Sequence, residues 1–256
     1  MNDYGKGCRS MQRLHLLDAL RGFAIYHVII FHFLYDVYVV YGLNPDWPYQ
    51  TWVQLWQRNG CGLFVLVSGM VFALGRNTFK RGLQLQILGL VITLVTVFFA
   101  PSEVIYYGIL TFFGSAMWLT LILKSFLQQV PAVVGMIASV VCYALTKDIT
   151  SGGAFFWDSK IFSYPEWLYQ DCFAILGFHS NNFYSSDYVP LLPHIFLFWF
   201  GMYLFTWIRS RNLTHLLTSG NYKLFTWPGT HSLEIYILHQ PVLMGLFTQY
   251  SVELHK

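Results

Sequence analysis

The chain has 256 residues, 55% of them hydrophobic and 19% aromatic, with 11% charged and a formal net charge of +3. A soluble domain of this size carries about a quarter charged residues, and a balance this close to neutral leaves no electrostatic footprint for nucleic acid. Apolar blocks of bilayer-crossing length replace amphipathic stripes, with a mean hydropathy of +0.48, so the composition excludes an ordinary soluble domain and points to an all-α, polytopic transmembrane helix bundle.

At about twenty residues per crossing, seven helices are predicted, over 16–41, 59–75, 82–100, 105–123, 131–147, 190–208 and 230–248. The polar lead before the first runs into a span too long for a signal-peptide core, so no cleavable signal is expected. "GLNPDWPYQ" separates the first helix from the second, Pro101 splits the third from the fourth, and Pro131 opens the fifth. The segment 148–189 alternates polar and aromatic residues and reads as an extracytoplasmic loop. A short interfacial or re-entrant helix over 161–178 is its main helical signal, and an eighth crossing there is the competing count. No internal repeat or soluble module interrupts the chain, so 1–256 reads as one integral-membrane domain.

Lysine and arginine orient the bundle with the N-terminus cytoplasmic. The inner segments then hold Lys6, Arg9, Arg13, Arg76, Lys80, Arg81, Lys124, Arg209, Arg211 and Lys223, against Arg58, Lys147, Lys160 and Lys256 outside. An eighth crossing in 148–189 would move the Arg209–Lys223 cluster to the wrong side. The sequon at Asn212 falls in the cytoplasm. Cys8, Cys61, Cys142 and Cys172 are scattered, giving neither a disulfide framework nor metal-ligand spacing.

The first helix, "RLHLLDALRGFAIYHVIIFHFLYDV", carries charge inside an apolar span. Each residue turns a helix by about 100°, so Arg21 and His32 return to within roughly 20° of one face. Asp18 and Asp36 extend that stripe by one turn at either end, while His27 points elsewhere and reads as structural. A rise of about 1.5 Å per residue puts Arg21 and His32 some 16 Å apart, one near the cytoplasmic rim and the other near the midplane. Arg21 with Asp18 as a snorkelling ion pair, and His32 as an interhelical hydrogen-bonding residue, are the structural alternatives. A buried histidine with a carboxylate four residues on also has the logic of an oriented general base. In the last helix, "THSLEIYILHQPVL" supplies Glu234, Tyr236, His239 and Gln240 before Pro241, with Tyr236 and His239 on one face. These fit substrate orientation or polar glue between helices equally well. Ser68-Gly69 in the second helix reads as a close-packing site, and the Trp and Tyr residues of 148–189 as an interfacial belt.

With these residues in hand, the chain resembles the membrane acyltransferases of acyltransferase family 3 and their relatives through R-x10-H, Arg21 to His32. The finer likeness is to the bacterial branch of the heparan-α-glucosaminide N-acetyltransferase catalytic-domain family. It extends to "FVLVSGMVFALGRN", "KRGLQLQILGLVITLVT", "FYSSDYVPLLPHIFLFWFGMYL" and "HSLEIYILHQPVL". The resemblance implies an enzyme in a bacterial plasma membrane that moves an acyl group, usually acetyl, from cytoplasmic acetyl-coenzyme A to an outer acceptor. That acceptor is a small molecule or glycan bearing a sugar amine or hydroxyl. It makes His32 the catalytic histidine, as general base or acyl carrier, and Arg21 a coenzyme A contact. Arg76, Lys80 and Arg81 are expected to help bind the polyanionic donor, with Asp36 orienting His32. Tyr236, His239, Gln240, Arg58, Asn59 and Asp187 are the expected acceptor contacts. No metal is expected, lipid surrounds the bundle, and a homodimer stays open. Two other classes compete: a proton-coupled transporter using His32, Asp36, Glu234 and His239 as a relay, and a b-type haem protein ligated by facing histidines.

Overall fold

The computed structural model describes residues 13–75, 77–156, 159–218 and 222–254. The chain divides into two compact units, Met1–Phe64 with Ile208–Lys256, and Val65–Trp207.

In the first unit, α1 (His15–Tyr35) is an apolar helix whose end widens into a π-helical turn, Asp36–Val40. The Tyr41 N–H reaches back five residues to the Asp36 carbonyl at 2.9 Å, the wider loop that defines such a turn. The expected first helix over 16–41 is therefore real in extent but changes gauge at Asp36. A 3-10 turn, Trp47–Tyr49, leads into α2 (Thr51–Phe72), which starts eight residues before the predicted 59. The prediction missed those turns because Gln54, Gln57 and Arg58 dilute the apolar signal there, although Val53 is fully buried.

The second unit continues α2 into α3 (Thr78–Phe99), α4 (Ile109–Ile122), the short α5 (Lys124–Leu127), α6 (Ala132–Thr146) and α7 (Leu191–Ser210). Gln86 on α3 donates to Ser115 Oγ on α4 at 2.8 Å, a polar tie between otherwise apolar helices. Gly69 of α2 lies against the Phe198 carbonyl of α7, where an added Cβ would stand 2.0 Å away, and Gly201 lies equally close to the Leu66 carbonyl. Between α6 and α7 the chain forms an antiparallel hairpin, β1 (Gly153–Phe156) and β2 (Ser159–Ser163), then 3-10 turns at Glu166–Leu168 and Asp171–Leu176. Over 161–178 the backbone thus ends β2 and makes two 3-10 helices, the longer over Asp171–Leu176. Here Ser180, through its hydroxyl and then its N–H, holds the Asp171 carboxyl below its usual range, and burial raises the Tyr188 phenol, which donates to the Ala174 carbonyl.

The chain returns to the first unit with α8 (His215–Thr218), α9 (Lys223–Thr230) and α10 (Ser232–Leu254). Helix α9 was not predicted; its Trp-Pro-Gly interior reads as a breaker. It packs on α1 through two glycines. A Cβ on Gly22 would meet the Phe225 carbonyl at 1.8 Å, and one on Gly229 would meet the Asp18 carbonyl at 1.7 Å. Only a residue without a side chain allows backbones to approach so closely.

Among the described residues, four helical stretches are long and apolar enough to cross a membrane: His15–Val40, Thr78–Phe99, Ala132–Ser151 and Leu191–Ser210. Ile109–Ile122 is apolar but only 14 residues long, and α2 and α10 are long but interrupted by polar residues. The helical membrane architecture stands; the predicted seven crossings correspond to four helices that meet both criteria.

Gly22→Ala and Gly229→Ala should each lower the melting temperature of the purified protein, because overpacking costs typically about 1–3 kcal/mol. Gly245→Ala, where an added Cβ meets nothing within 4 Å, should be neutral or slightly stabilising. Equal melting behaviour of all three would contradict the tight α1–α9 crossing.

Candidate active site

Arg21, His32 and Asp36 find their partners on α10. Arg21 donates from Nη2 to Ser232 Oγ at 2.5 Å, and Ser232 is almost wholly buried. Farther along, the rings of His32 and His239 lie 4.9 Å apart between centroids, inclined at 58°. Beyond them, Gln240 Nε2 donates to both oxygens of Asp36, at 2.9 Å and 3.1 Å. Residue numbers rise together on both helices, so α1 and α10 run in the same sense, with the three contacts spaced along their shared face.

Three features set the chemistry of this face. First, Asp36 is only 2% exposed, and a buried carboxylate needs donors; the Gln240 amide supplies them. Second, His239 Nδ1 donates to the Tyr236 carbonyl one turn back, at 2.5 Å, which puts the ring proton on that nitrogen. The Tyr236 ring itself lies 5.3 Å from that of His239. Pro241, lacking an N–H, relaxes the helical hydrogen bonding just beyond. Third, His32 makes ring contacts with Phe31, at 6.0 Å, and with His239, and neither of its nitrogens hydrogen-bonds within the described residues. Its nitrogens are therefore open to a ligand.

The expected stripe is largely present, with two changes. Asp18 pairs with Arg13, Nε to Oδ2 at 2.9 Å, rather than with Arg21. Asp36 accepts its hydrogen bonds from the Gln240 amide on α10 instead of from His32 on its own helix. His27 points away, as its position predicts: its Nδ1 bonds the Phe23 carbonyl at 3.0 Å and its ring meets Phe23 and Trp56.

Arg58 and Asn59 are exposed on α2, and no hydrogen bond joins them to α1 or α10 among the described residues. Lys80 and Arg81 are exposed at the start of α3, with the Arg81 guanidinium against Gly75. Asp187 sits beside Gly108. Both places belong to the second unit. Arg76 lies outside the described residues. No group of three or more His, Cys, Asp and Glu among those residues could hold a metal ion.

Two participants were missed. Ser232 is an unremarked small residue at a helix start, and only three-dimensional contact reveals it as the Arg21 partner. The loop "NPDWPYQ" carries the other: Trp47 is buried, with its ring 5.5 Å from Phe31 and stacked on Tyr38 at 5.3 Å. That packing walls the residue next to His32. A tryptophan flanked by prolines in a short connection was the available signal.

The Asp36–Gln240 contact makes a direct stability test. Asp36→Leu strands the Gln240 amide and should destabilise the protein by about 1–3 kcal/mol. Asp36→Asn can still pair amide to amide and should melt closer to wild type. The reverse order in thermal melts would contradict the assignment.

Compared with curated proteins and with solved structures, the chain has no match. A protein-family model, described as heparan-alpha-glucosaminide N-acetyltransferase, catalytic, matches residues 13–241. The matched range begins at the Asp18 partner, Arg13, and ends at Pro241, so it encloses every contact of the α1–α10 face. The chain belongs to the heparan-alpha-glucosaminide N-acetyltransferase catalytic-domain family.

Proposed function

We propose that this membrane transferase carries an acetyl group from acetyl-coenzyme A on the cytoplasmic side to an acceptor on the other side, a sugar amine or hydroxyl. The observation that carries this reading is the shared face of α1 and α10, on which Arg21 and the unengaged imidazole of His32 both lie. Those two are about 16 Å apart along the helix, a span suited to a donor with an anionic nucleotide at one end and a thioester at the other. Arg21 offers a planar fork of donors to phosphate. On charge distribution alone, Arg76, Lys80 and Arg81 join the cytoplasmic cations available to the donor. Arg58, Asn59 and Asp187 stay as acceptor contacts of the opposite side. The N-terminus is inside, and the common sense of α1 and α10 suits an odd number of crossings.

His32 acts as the base. It takes a proton from the acceptor N–H or O–H as that atom attacks the thioester carbonyl carbon. The C–S bond of the tetrahedral intermediate then breaks, and the coenzyme A thiolate leaves, taking the proton back from the imidazolium. In the covalent variant the imidazole itself attacks, the thiolate leaves first, and the acyl-imidazole is then cleaved by the acceptor. Walls built from Phe31, Trp47 and Tyr38 beside His32 favour either course by limiting water at the thioester.

Membership in a transferase family does not favour the transporter reading. The haem reading fails on fit: imidazoles whose centroids are 4.9 Å apart leave no room for an iron and its macrocycle between them.

The test is transfer of label from radiolabelled acetyl-coenzyme A to a set of amino sugars by the purified protein in lipid. His32→Ala should lower turnover by about 100-fold or more while donor binding persists. Arg21→Ala should raise the donor KM by about 10-fold or more, the worth of a charged hydrogen bond. Turnover retained by the His32 variant would remove the mechanism.

A further inference from the structure

The two ends of the Gln240 side chain have different fates. Both Asp36 oxygens lie within 3.1 Å of one terminal atom. A carboxylate accepts hydrogen bonds, so that atom has to be the amide nitrogen. The carbonyl oxygen is thereby turned away from Asp36 and cannot exchange places with the nitrogen without setting oxygen against oxygen. Yet this Oε1 is buried and has no hydrogen-bond partner among the described residues. Leaving a buried acceptor unmet costs about 1–3 kcal/mol, and such atoms in native proteins call for an explanation. Asp36 thus holds Gln240 in a pose whose vacant acceptor awaits a donor from elsewhere.

The neighbourhood narrows which donor. Gln240 follows His239, whose ring is in contact with that of His32, so the vacant oxygen belongs to the same end of the α1–α10 face as the base. A hydroxyl nucleophile has a single proton, and His32 claims it. A primary amine has at least two N–H bonds, one for His32 and one for a carbonyl oxygen.

We propose that Gln240, held in position by Asp36, is the specificity-determining residue that selects an amine over a hydroxyl acceptor through its carbonyl oxygen. This rests on the acyl-transfer reading for the use made of the bound amine, but the binding preference itself does not require transfer.

The experiment is equilibrium binding to the full chain in lipid nanodiscs, using glucosamine and glucose, which differ only by amine against hydroxyl at one carbon. Wild type should bind glucosamine about tenfold more tightly or better, and Gln240→Met should bring the two within about twofold by weakening glucosamine alone. N,N-dimethylglucosamine carries at most one N–H, so wild type should bind it no more tightly than glucose, which covers the case in which the methionine variant does not fold. The proposal is overturned by wild type showing no preference, by the preference surviving in Gln240→Met, or by wild type binding N,N-dimethylglucosamine as tightly as glucosamine. A wild-type protein that prefers the amine but never acetylates it would leave Gln240 in this role and remove the acyl-transfer reading instead.

Discussion

A carboxylate moved from water to the inside of a helix pair costs several kcal/mol unless hydrogen bonds are returned to it. Asp36 meets that demand through one residue on another helix, with both oxygens taken up by the Gln240 amide. The bond therefore sets the relative rotation of α1 and α10. Once the helices are rotated so that residues 36 and 240 meet, the His32 and His239 rings come together and Arg21 reaches Ser232. The glycine crossing of α1 with α9, the short helix just before α10, works to the same end.

The same constraint explains why His32 stays available. A carboxylate four residues along its own helix could have tied up the imidazole, and that is the arrangement the sequence suggests. Because Gln240 occupies Asp36, the imidazole keeps its nitrogens and feels the carboxylate only through space. An arrangement of this kind stabilises an imidazolium formed in passing without fixing the ring in advance. Fixing falls instead to His239, through the Tyr236 carbonyl.

Much of this was legible in the chain itself, for physical reasons. A 3.6-residue period assigns Arg21, His32 and Asp36 to one stripe and sends His27 elsewhere, and packing did not alter those directions. The "LHQP" segment announced itself because polar side chains inside an apolar helix are costly. What escaped was pairwise choice. Nothing local tells whether Asp18 bonds Arg13 or Arg21, or whether Asp36 bonds His32 or Gln240, since such outcomes depend on which helix arrives alongside. Helix boundaries slipped where composition misleads. The polar first turns of α2 look like loop, Trp-Pro-Gly hides α9, and an aromatic-rich stretch conceals the hairpin of 153–163. The fall from seven predicted crossings to four helices that satisfy length and hydropathy among the described residues has separate causes: α4 is only 14 residues long, and polar residues interrupt α2 and α10.

The claim at the centre is that α1 presents His32 and Asp36, not His27, to α10. Cysteine pairs in an otherwise cysteine-free chain, treated in the membrane with a short thiol cross-linker, test it directly. Pairs at 32 with 239 and at 36 with 240 should cross-link, while 27 with 239 should not. Cross-linking of 27 with 239 in place of 32 with 239 would contradict the account.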